Sequence, residues 1–527
     1  MKRYQSLLLA AFAFSFAACE PEFENEVNNE TYSSGEADFT TYVAVGNSLT
    51  AGYMDGTMYR SGQQYSFPNL LSKQFAVVGG GVFTQPSFGD DGSDVGGLLF
   101  MGNQIGATRL IINMQSGGPE NLRGTPTVEI SNLQAQAYHN MGVPGAKSFH
   151  LLAPGYGNIE GVAMGTANPY FVRHATSPDV TVLEDAVSLN PTFFTNWIGS
   201  NDVLAFALSG GTGINQEGNM NPGTYGGNDI TDPQLFATAY TAILNGLTAN
   251  GARGVVATIP YVTSIPHFTT VPYNPLTAEA LGGDAVVAQL NETLFGKLKM
   301  ALTMLGEEDR IKLFDANEEN PLLIVDESLT NLSQQIAAIA SQDPELAPLA
   351  SLLGQLYGQA RHATKDDLFV LGTSGVIGTN TTSPILDNVP EPYREMLGKM
   401  GVTFPLEDKY TLTPQEQAEI KTATDQFNEI IWTQAYSKGL AVVNMNAIMG
   451  YLIDGIRVED GQFYTEDYFN GDNLNRVLFS LDGVHPNPRG YAFVANEIIK
   501  AINNHYGAKL PLLVTGNYPG VTVKASN

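Results

Sequence analysis

The residues that decide the fold lie near the beginning of the chain, in the stretch FTTYVAVGNSL, residues 39–49. The residues before Gly46 are aromatic, β-branched or alanine. Such a short apolar run before a glycine is typical of a buried strand. In parallel sheets the functional loops follow the carboxyl ends of the strands. The stretch therefore predicts a strand over residues 39–45 and places Ser48 where chemistry is expected.

Further strands and helices alternate along the chain beyond this stretch. Apolar runs predict strands over residues 148–153, 192–198, 254–259, 311–315 and 440–445. Helical spacing of apolar residues predicts helices over residues 66–75, 233–249, 284–305, 413–438 and 488–506. This alternation indicates an α/β fold with a mostly parallel sheet.

Two long stretches break the alternation. Residues 77–134 are rich in glycine and weakly periodic. Residues 316–411 contain an expected helix pair between 331 and 359, followed by the run LGTSGVIGTNTTSP. We interpret both stretches as large insertions into one domain over residues 39–508, which is followed by a C-terminal tail over 509–527.

The composition limits the classes of partner. The chain has 26 Lys and Arg against 53 Asp and Glu, a formal net charge of −27. This balance argues against nucleic acid and against electrostatic docking on anionic lipid, because both need clustered basic residues. Hydrophobic residues make up 43%, enough for a large core. The single cysteine, Cys19, excludes an internal disulfide and a cysteine-based metal site.

The N-terminus has the pattern of a secretion signal. Lys2 and Arg3 precede an apolar run over residues 7–18 that is too short to span a bilayer. Small residues directly before Cys19 resemble a bacterial lipoprotein signal, although Phe16 stands where leucine is usual. The resemblance implies a signal peptide over 1–18, a lipid on Cys19 and an anchor in the outer membrane. An ordinary signal peptide with an incidental Cys19 stays open.

An acidic segment over residues 19–38 follows that cysteine. It carries seven Asp and Glu residues and no Lys or Arg. Self-repulsion predicts an extended tether. Its acidic start also resembles the surface-export signal of Bacteroidetes-type lipoproteins, which implies a cell-envelope protein with surface exposure as a further expectation. A solvated linker is the alternative.

Three short blocks contain the residues that nucleophilic catalysis needs. They are GNSL at 46–49, GSND at 199–202 and DGVHPN at 482–487. Ser48 can act as a nucleophile and His485 as its base. Asp482, three residues earlier, can orient the imidazole. Asn201 offers an amide donor for an oxyanion, beside backbone N–H groups of Ser48 and a loop glycine.

These blocks resemble the SGNH, or GDSL, hydrolase superfamily, whose blocks are Gly-Asp-Ser-Leu, Gly-x-Asn-Asp and Asp-x-x-His. Asn47 departs from the usual Asp. The run NMGVPG at 140–145 resembles the family's second block, which makes Gly145 the expected oxyanion donor and Gly142 the less suitable one. The resemblance implies a three-layer α/β/α flavodoxin-like fold and a Ser48, His485 and Asp482 triad.

The resemblance also implies hydrolysis of carboxylic esters without a cofactor. The substrate would be a small-molecule, lipid or acetylated-glycan ester, and the chain a monomer. A lipolytic or general esterase is favoured over a carbohydrate O-deacetylase. A non-catalytic glycan- or lipid-binding lipoprotein and a structural partner of an outer-membrane transporter stay open.

Other catalytic and metal-binding signatures are missing from the sequence. It has no Gly-x-Ser-x-Gly elbow, no Walker loop and no Gly-x-Gly-x-x-Gly after a strand. The acidic run 90–94 lacks the spacing of an EF-hand loop, so no metal site is expected. The helix pair between 331 and 359 is interpreted as core, with a cap over an acyl chain as the alternative.

Overall fold

A sheet of five parallel strands lies at the centre of the molecule. The computed structural model describes residues 32–89, 92–391, 393–470 and 472–527. In chain order the strands are β1 (Tyr42–Gly46), β2 (Asn140–Gly142), β3 (Phe193–Trp197), β4 (Arg253–Ala257) and β5 (Ala441–Val443). Across the sheet their order is β5-β4-β3-β1-β2, so the winding reverses between β1 and β3. The expected α/β class with a mostly parallel sheet is confirmed.

Both faces of the sheet are buried. Val43 and Val45 pack into one apolar cluster, whereas Tyr42 and Ala44 pack into another, because successive side chains of a strand point to opposite faces. Helices contribute to both clusters. They are α1 (Ser48–Ala51), α2 (Phe67–Ala76), α3 (Val182–Ser188), α4 (Asn201–Leu208), α5 (Pro233–Thr248), α6 (Pro414–Ser437), α7 (Met445–Asp454) and α8 (Pro488–Tyr506).

The long helices begin where local sequence supplies a cap. The side chain of Asp232 accepts hydrogen bonds at the start of α5, and Asn487 does the same for α8. Thr413 and Glu416 form a reciprocal capping box at the start of α6. A proline follows each of these three caps, where its missing N–H costs nothing. The described helices include none that is long and apolar enough to cross a membrane.

Two predicted strands were wrong. Residues 148–153 form a 3₁₀ helix, Ser148–Leu152, and the second strand of the sheet is instead β2. Residues 311–315 join no sheet. Side chains satisfy their backbone there: the N–H of Lys312 donates to Nδ1 of His362 at 2.9 Å, and that of Phe314 donates to Oδ1 of Asn291 at 2.9 Å. Side chains from distant segments thus accept the backbone N–H groups that a neighbouring strand would otherwise bind.

A separate apolar cluster extends from Val271 to Leu406 and includes most of the expected insertion 316–411. The predicted helix 284–305 exists but packs in this cluster, with a π-helical turn in its middle. The expected helix pair is also present. The helices of the region are Ala278–Leu281, Asp284–Leu290, Gly296–Met304, Ser333–Ala340, Ala350–Tyr357 and Tyr393–Leu397, and its strands are Leu323–Val325, Ala360–His362, Leu368–Phe369 and Thr411–Leu412.

The glycine-rich region 77–134 is held by the C-terminal tail. Strand Leu110–Asn113 pairs antiparallel with Gly118–Asn121 and parallel with Val523–Lys524. The tail therefore packs on the body of the protein. The remaining short strands are Leu99–Phe100, Asn103–Gln104, Ile456–Arg457 and Phe463–Tyr464, and the remaining short α-helices are Arg60–Gln63, Pro169–Val172 and Pro266–Thr269.

Candidate active site

The turn between β1 and α1 presents Ser48 at the carboxyl end of the sheet. A Cβ on Gly46 would lie 2.7 Å from the carbonyl oxygen of Trp197, so only glycine permits this approach. Oδ1 of Asn47 accepts the N–H of Leu49 at 3.0 Å and caps α1. An aspartate would cap in the same way, and the departure at Asn47 therefore leaves the turn intact.

Ser48, His485 and Asp482 form one chain of hydrogen bonds. Nδ1 of His485 lies 2.9 Å from Oδ2 of Asp482, and its Nε2 lies 2.8 Å from Oγ of Ser48. Because an ionised carboxylate only accepts hydrogen bonds, Nδ1 carries the proton. Nε2 is then left to accept the hydroxyl proton of Ser48. Residues that are 437 positions apart along the chain thus meet in the arrangement that activates a serine.

The carboxylate of Asp482 is surrounded by donors. Oδ1 accepts from Oγ of Ser480 at 3.0 Å and from the N–H groups of Val484 and His485 at 2.9 Å each. Oδ2 also accepts the N–H of Gly56 at 3.0 Å. Burial alone raises the pKa of Asp482, but the charge of His485 and these hydrogen bonds outweigh it and hold the pKa well below its usual value. Asp482 is therefore ionised and fit to stabilise an imidazolium.

Asp55 is a second carboxyl group, and it links the segment after Ser48 to the segment before Asp482. Its Oδ1 accepts the N–H of Leu481 at 3.0 Å, and its own N–H donates to Oγ of Ser480 at 3.0 Å. The hydroxyl of Tyr59 donates to Oδ2 at 2.6 Å. Burial raises the pKa of Asp55 to about 6, against the opposing hydrogen bonds. Sequence reasoning missed this residue, because an Asp-Gly pair indicates an ordinary turn.

The segment after β2 contacts the start of α4, and these two segments contain the predicted oxyanion donors. Nδ2 of Asn201 donates to the carbonyl oxygen of Ala146 at 2.9 Å. Gly145, directly before Ala146, is exposed and has φ +81°, a conformation that favours glycine. By contrast, a Cβ on Gly142 would clash with the backbone of Ala51, so Gly142 serves packing against α1. The predicted donor residues Asn201 and Gly145 thus lie on adjoining segments.

A buried carboxylate holds these segments together. Asp202 accepts the N–H of Ser148 at 2.9 Å and its Oγ–H at 2.8 Å. Burial raises the pKa of Asp202, while the bonds from Ser148 and the charge of Lys147 oppose that rise. The Asp of the GSND block therefore positions the chain after β2. The two hydrogen bonds from Ser148 to Asp202 also explain why residues 148–153 form a 3₁₀ helix instead of a strand.

Further side chains support the catalytic loop from outside. The ring of Tyr53 lies 4.7 Å from that of His485, and Tyr491 donates from its hydroxyl to the carbonyl of Tyr53 at 2.7 Å. The N–H of His267 donates to the carbonyl of Gly483 at 3.0 Å. Burial lowers the pKa of His267, which favours its neutral form. The sequence offered no signal for these contacts, since all of them join distant segments.

A cavity of about 110 Å³, here named the Ser48 cavity, adjoins the hydrogen-bonded chain. Its polar lining residues all belong to the motif blocks: Asn47, Ser48, Ser200, Asn201 and His485. The rest of its lining is apolar or glycine, and comes from Leu49, Trp197, Leu204, Pro260, Val262, Ile265, Met445, Ile448, Met449, Leu452, Leu478, Phe479, Val484, Pro486, Gly490, Phe493 and Val494. A ligand there would meet polar groups only near Ser48.

No protein-family model, no curated protein and no solved structure matches this chain. Within the described ranges there is no group of three or more His, Cys, Asp or Glu residues that could hold a metal ion. Cys19 and the predicted signal peptide lie outside the described residues. A function for this chain therefore has to be inferred from the geometry around Ser48.

Proposed function

We propose that this protein is a serine hydrolase that cleaves carboxylic esters. The observation that carries the proposal is the chain of hydrogen bonds from Asp482 through His485 to Ser48, at 2.9 Å and 2.8 Å. A binding protein has no need for these three groups in this order. The flanking Asn201 and Gly145 supply the kind of donors that an oxyanion requires.

The residues would divide the reaction into two displacements. Oγ of Ser48 attacks the ester carbonyl carbon, and its proton passes to Nε2 of His485. The carboxylate of Asp482 stabilises the resulting imidazolium. The imidazolium then protonates the leaving alcohol, and an acyl group stays on Ser48. Water attacks this acyl-enzyme in the same way and gives its proton to His485. The imidazolium returns that proton to Oγ of Ser48 as the bond to the acyl carbon breaks, which releases the acid and free Ser48.

The oxyanion that forms in each displacement would bind three donors. They are the backbone N–H groups of Ser48 and Gly145 and the side-chain amide of Asn201. Nδ2 of Asn201 has two N–H bonds, and the bond to Ala146 uses one of them. The other can serve the oxyanion. No metal or cofactor takes part in this scheme.

The strand order supports the resemblance to SGNH hydrolases. Numbered along the chain, the five strands lie in the order 2-1-3-4-5, which is the flavodoxin-like arrangement. Helices from both apolar clusters cover the sheet, in keeping with a three-layer α/β/α architecture. Ser48 follows β1 and Asn201 follows β3, on the two sides of the point where the winding reverses. Ligands of open α/β sheets bind at such points.

The cellular setting belongs to the same proposal. We infer a lipid anchor at Cys19 in the outer membrane, followed by an acidic tether that would leave the catalytic body free of the membrane. The last residues of the predicted tether 19–38 instead pack on that body: Ser33 pairs with Lys509, and Ala37 is buried. The substrate would then be an ester in the cell envelope or outside it. Mass spectrometry of the membrane-extracted protein tests this: a lipidated Cys19 at the N-terminus supports the anchor, and an unmodified thiol contradicts it.

The catalytic proposal is tested with a series of p-nitrophenyl esters, from acetate to palmitate, and the full-length chain. Turnover should fall by about 10⁴-fold or more in Ser48→Ala. The matched control is Ser341→Ala, at an exposed serine far from the site in sequence, which should keep full turnover. A fluorophosphonate reagent should label Ser48 in the parent chain. A folded protein that neither turns over an ester nor reacts with the reagent would favour a non-catalytic binder.

A further inference from the structure

We propose that the Ser48 cavity is an acyl subsite that selects short aliphatic acyl groups, from butanoyl to hexanoyl. This inference rests on the proposed esterase function, because it concerns the substrate of the same Ser48. It assigns the acyl part of the ester to the cavity and the alcohol part to the open side of the site. The residues that set the acyl length are Met449 and Leu452 of α7.

The cavity extends along the carboxyl edge of the sheet. Ser48 follows β1, and the lining then includes Trp197 at the end of β3, Pro260 beyond β4 and Met445 after β5. These strands are consecutive neighbours on one side of β1. Gly145 follows β2, on the opposite side of β1. A chain bound to Ser48 can therefore extend in the direction of β5 without passing Gly145.

The chemistry of the lining changes along that direction. Polar groups line the cavity only where Ser48, Asn201 and His485 gather, and the lining contributed by α7 and α8 is apolar. A sugar ring needs hydrogen-bonding partners on several sides, which this wall does not offer. An alkyl chain gains free energy from an apolar wall roughly in proportion to its buried area. The cavity thus matches an ester group at one end and an alkyl chain at the other.

The volume limits the length of the chain. At about 110 Å³, the cavity is smaller than the ~150 Å³ apolar cavity that accommodates benzene, a six-carbon ring. Scaled by volume from the six carbons of benzene, the cavity holds a chain of about three to five carbons beyond the carbonyl. An acetyl group would leave most of it empty, and a decanoyl group would extend beyond it. Butanoyl to hexanoyl esters fill it best.

Helix α7 lines the cavity with one face because its sequence is amphipathic. Met445, Met449 and Leu452 recur at helical spacing and are buried, whereas Tyr451 and Ile453 are exposed by 62% and 50%. Met449 and Leu452 project into the cavity lining from one face of the helix. A larger side chain at Met449 would shorten the space, and a smaller one would lengthen it.

The experiment measures kcat/KM of the full-length chain on p-nitrophenyl esters from acetate to decanoate. The value should rise about three- to fourfold for each added CH₂ up to hexanoate, and then fall. Met449→Trp should lower the hexanoate-to-acetate ratio by about tenfold. Met449→Ala should move the optimum to longer esters. Ile453→Trp, on the exposed face of the same helix, should leave the profile unchanged.

A second series separates the acyl side from the alcohol side. It uses acetate esters of alcohols from ethanol to decanol. If the cavity holds the acyl group, the alcohol chain length that gives the highest kcat/KM should be the same in the parent chain and in Met449→Ala. An optimum that shifts in the alcohol series, or a flat acyl series with turnover that still depends on Ser48, would overturn the acyl subsite and keep the esterase. Loss of both turnover and Ser48 labelling would instead refute the proposed function. Thermal unfolding of each variant identifies a folding failure. If Met449→Trp does not fold, the shift of the optimum in Met449→Ala tests the proposal.

Discussion

Two apolar cavities differ in size, and the smaller one lies beside the proposed catalytic residues Ser48 and His485. The helix pair Ser333–Ala340 and Ala350–Tyr357 borders a cavity of about 260 Å³, against about 110 Å³ for the Ser48 cavity. The larger one has Lys297 at its edge, and this lysine forms ion pairs with Asp343 and Glu345. Apolar volume alone therefore does not identify a site. The hydrogen-bonded Ser48 and His485 distinguish the smaller cavity.

The helix pair Ser333–Ala340 and Ala350–Tyr357 belongs to an apolar cluster separate from those on the central sheet. Its Leu, Ile and Ala residues pack within the cluster from Val271 to Leu406. The interpretation as core is confirmed for the buried Ile336, Leu353 and Leu356. The wall of the Ser48 cavity is instead α7, a short helix that the sequence pattern did not single out. An acyl cap at the helix pair stays a prediction, and the described lining of the Ser48 cavity contains no residue of that pair.

The largest expected difference between the two regions concerns their carboxylates. Asp482→Asn should lower kcat by about 10⁴-fold with the fold intact, because the amide cannot hold His485 in the required tautomer. Asp343→Asn is the matched change at the larger cavity. It removes one partly exposed ion pair, so kcat should stay at the parent value. Steady-state kinetics with hexanoate esters checks both, and near-normal turnover of Asp482→Asn would exclude its proposed role.

A smaller effect is expected at the oxyanion side. Asn201→Ala should lower kcat by about 10²–10³-fold, because one donor to the oxyanion is lost. Asn331→Ala is the counterpart beside the helix pair, where the side chain accepts the N–H of Ser333 and donates from Nδ2 to Oε1 of Gln359 at 3.4 Å. It should leave kcat unchanged. If the unfolded fraction of Asn201→Ala at the assay temperature accounts for its whole loss of activity, the residue acts in structure, through its bond to Ala146, and not on the oxyanion.

The smallest expected effect is a pH dependence of stability. The folded-state pKa of Asp55 is raised from 3.8 to about 6, so the folded chain binds more protons than the unfolded chain between these values. Its contribution to stability therefore falls as the pH rises through that window, by an amount on the order of 3 kcal/mol. Asp55→Asn should remove this loss, seen as a flatter curve of unfolding free energy from pH 4 to pH 7. A curve that keeps the parent slope would contradict the raised pKa.

The local parts of the fold and site could be predicted from the sequence. Strands β1, β3, β4 and β5 were predicted because each is a short apolar run followed by glycine, proline or asparagine. The long helices were predicted because capping residues and apolar spacing act within a few turns. The wrong strands at 148–153 and 311–315 failed for one reason: distant partners such as Asp202 and His362 decide their backbone hydrogen bonds.

The sequence by itself determined the α/β class, the order of the motif blocks and the identity of Ser48, Asp482 and His485 as candidates. Those features depend on residue type and spacing, which are local. Only the tertiary structure decided that Asp55 joins Ser480 and Leu481, that α7 lines the Ser48 cavity, and that the helix pair lines a different one. Each of these depends on contacts between segments far apart in the chain. Such contacts are set by the packing of whole elements, and no local pattern specifies them.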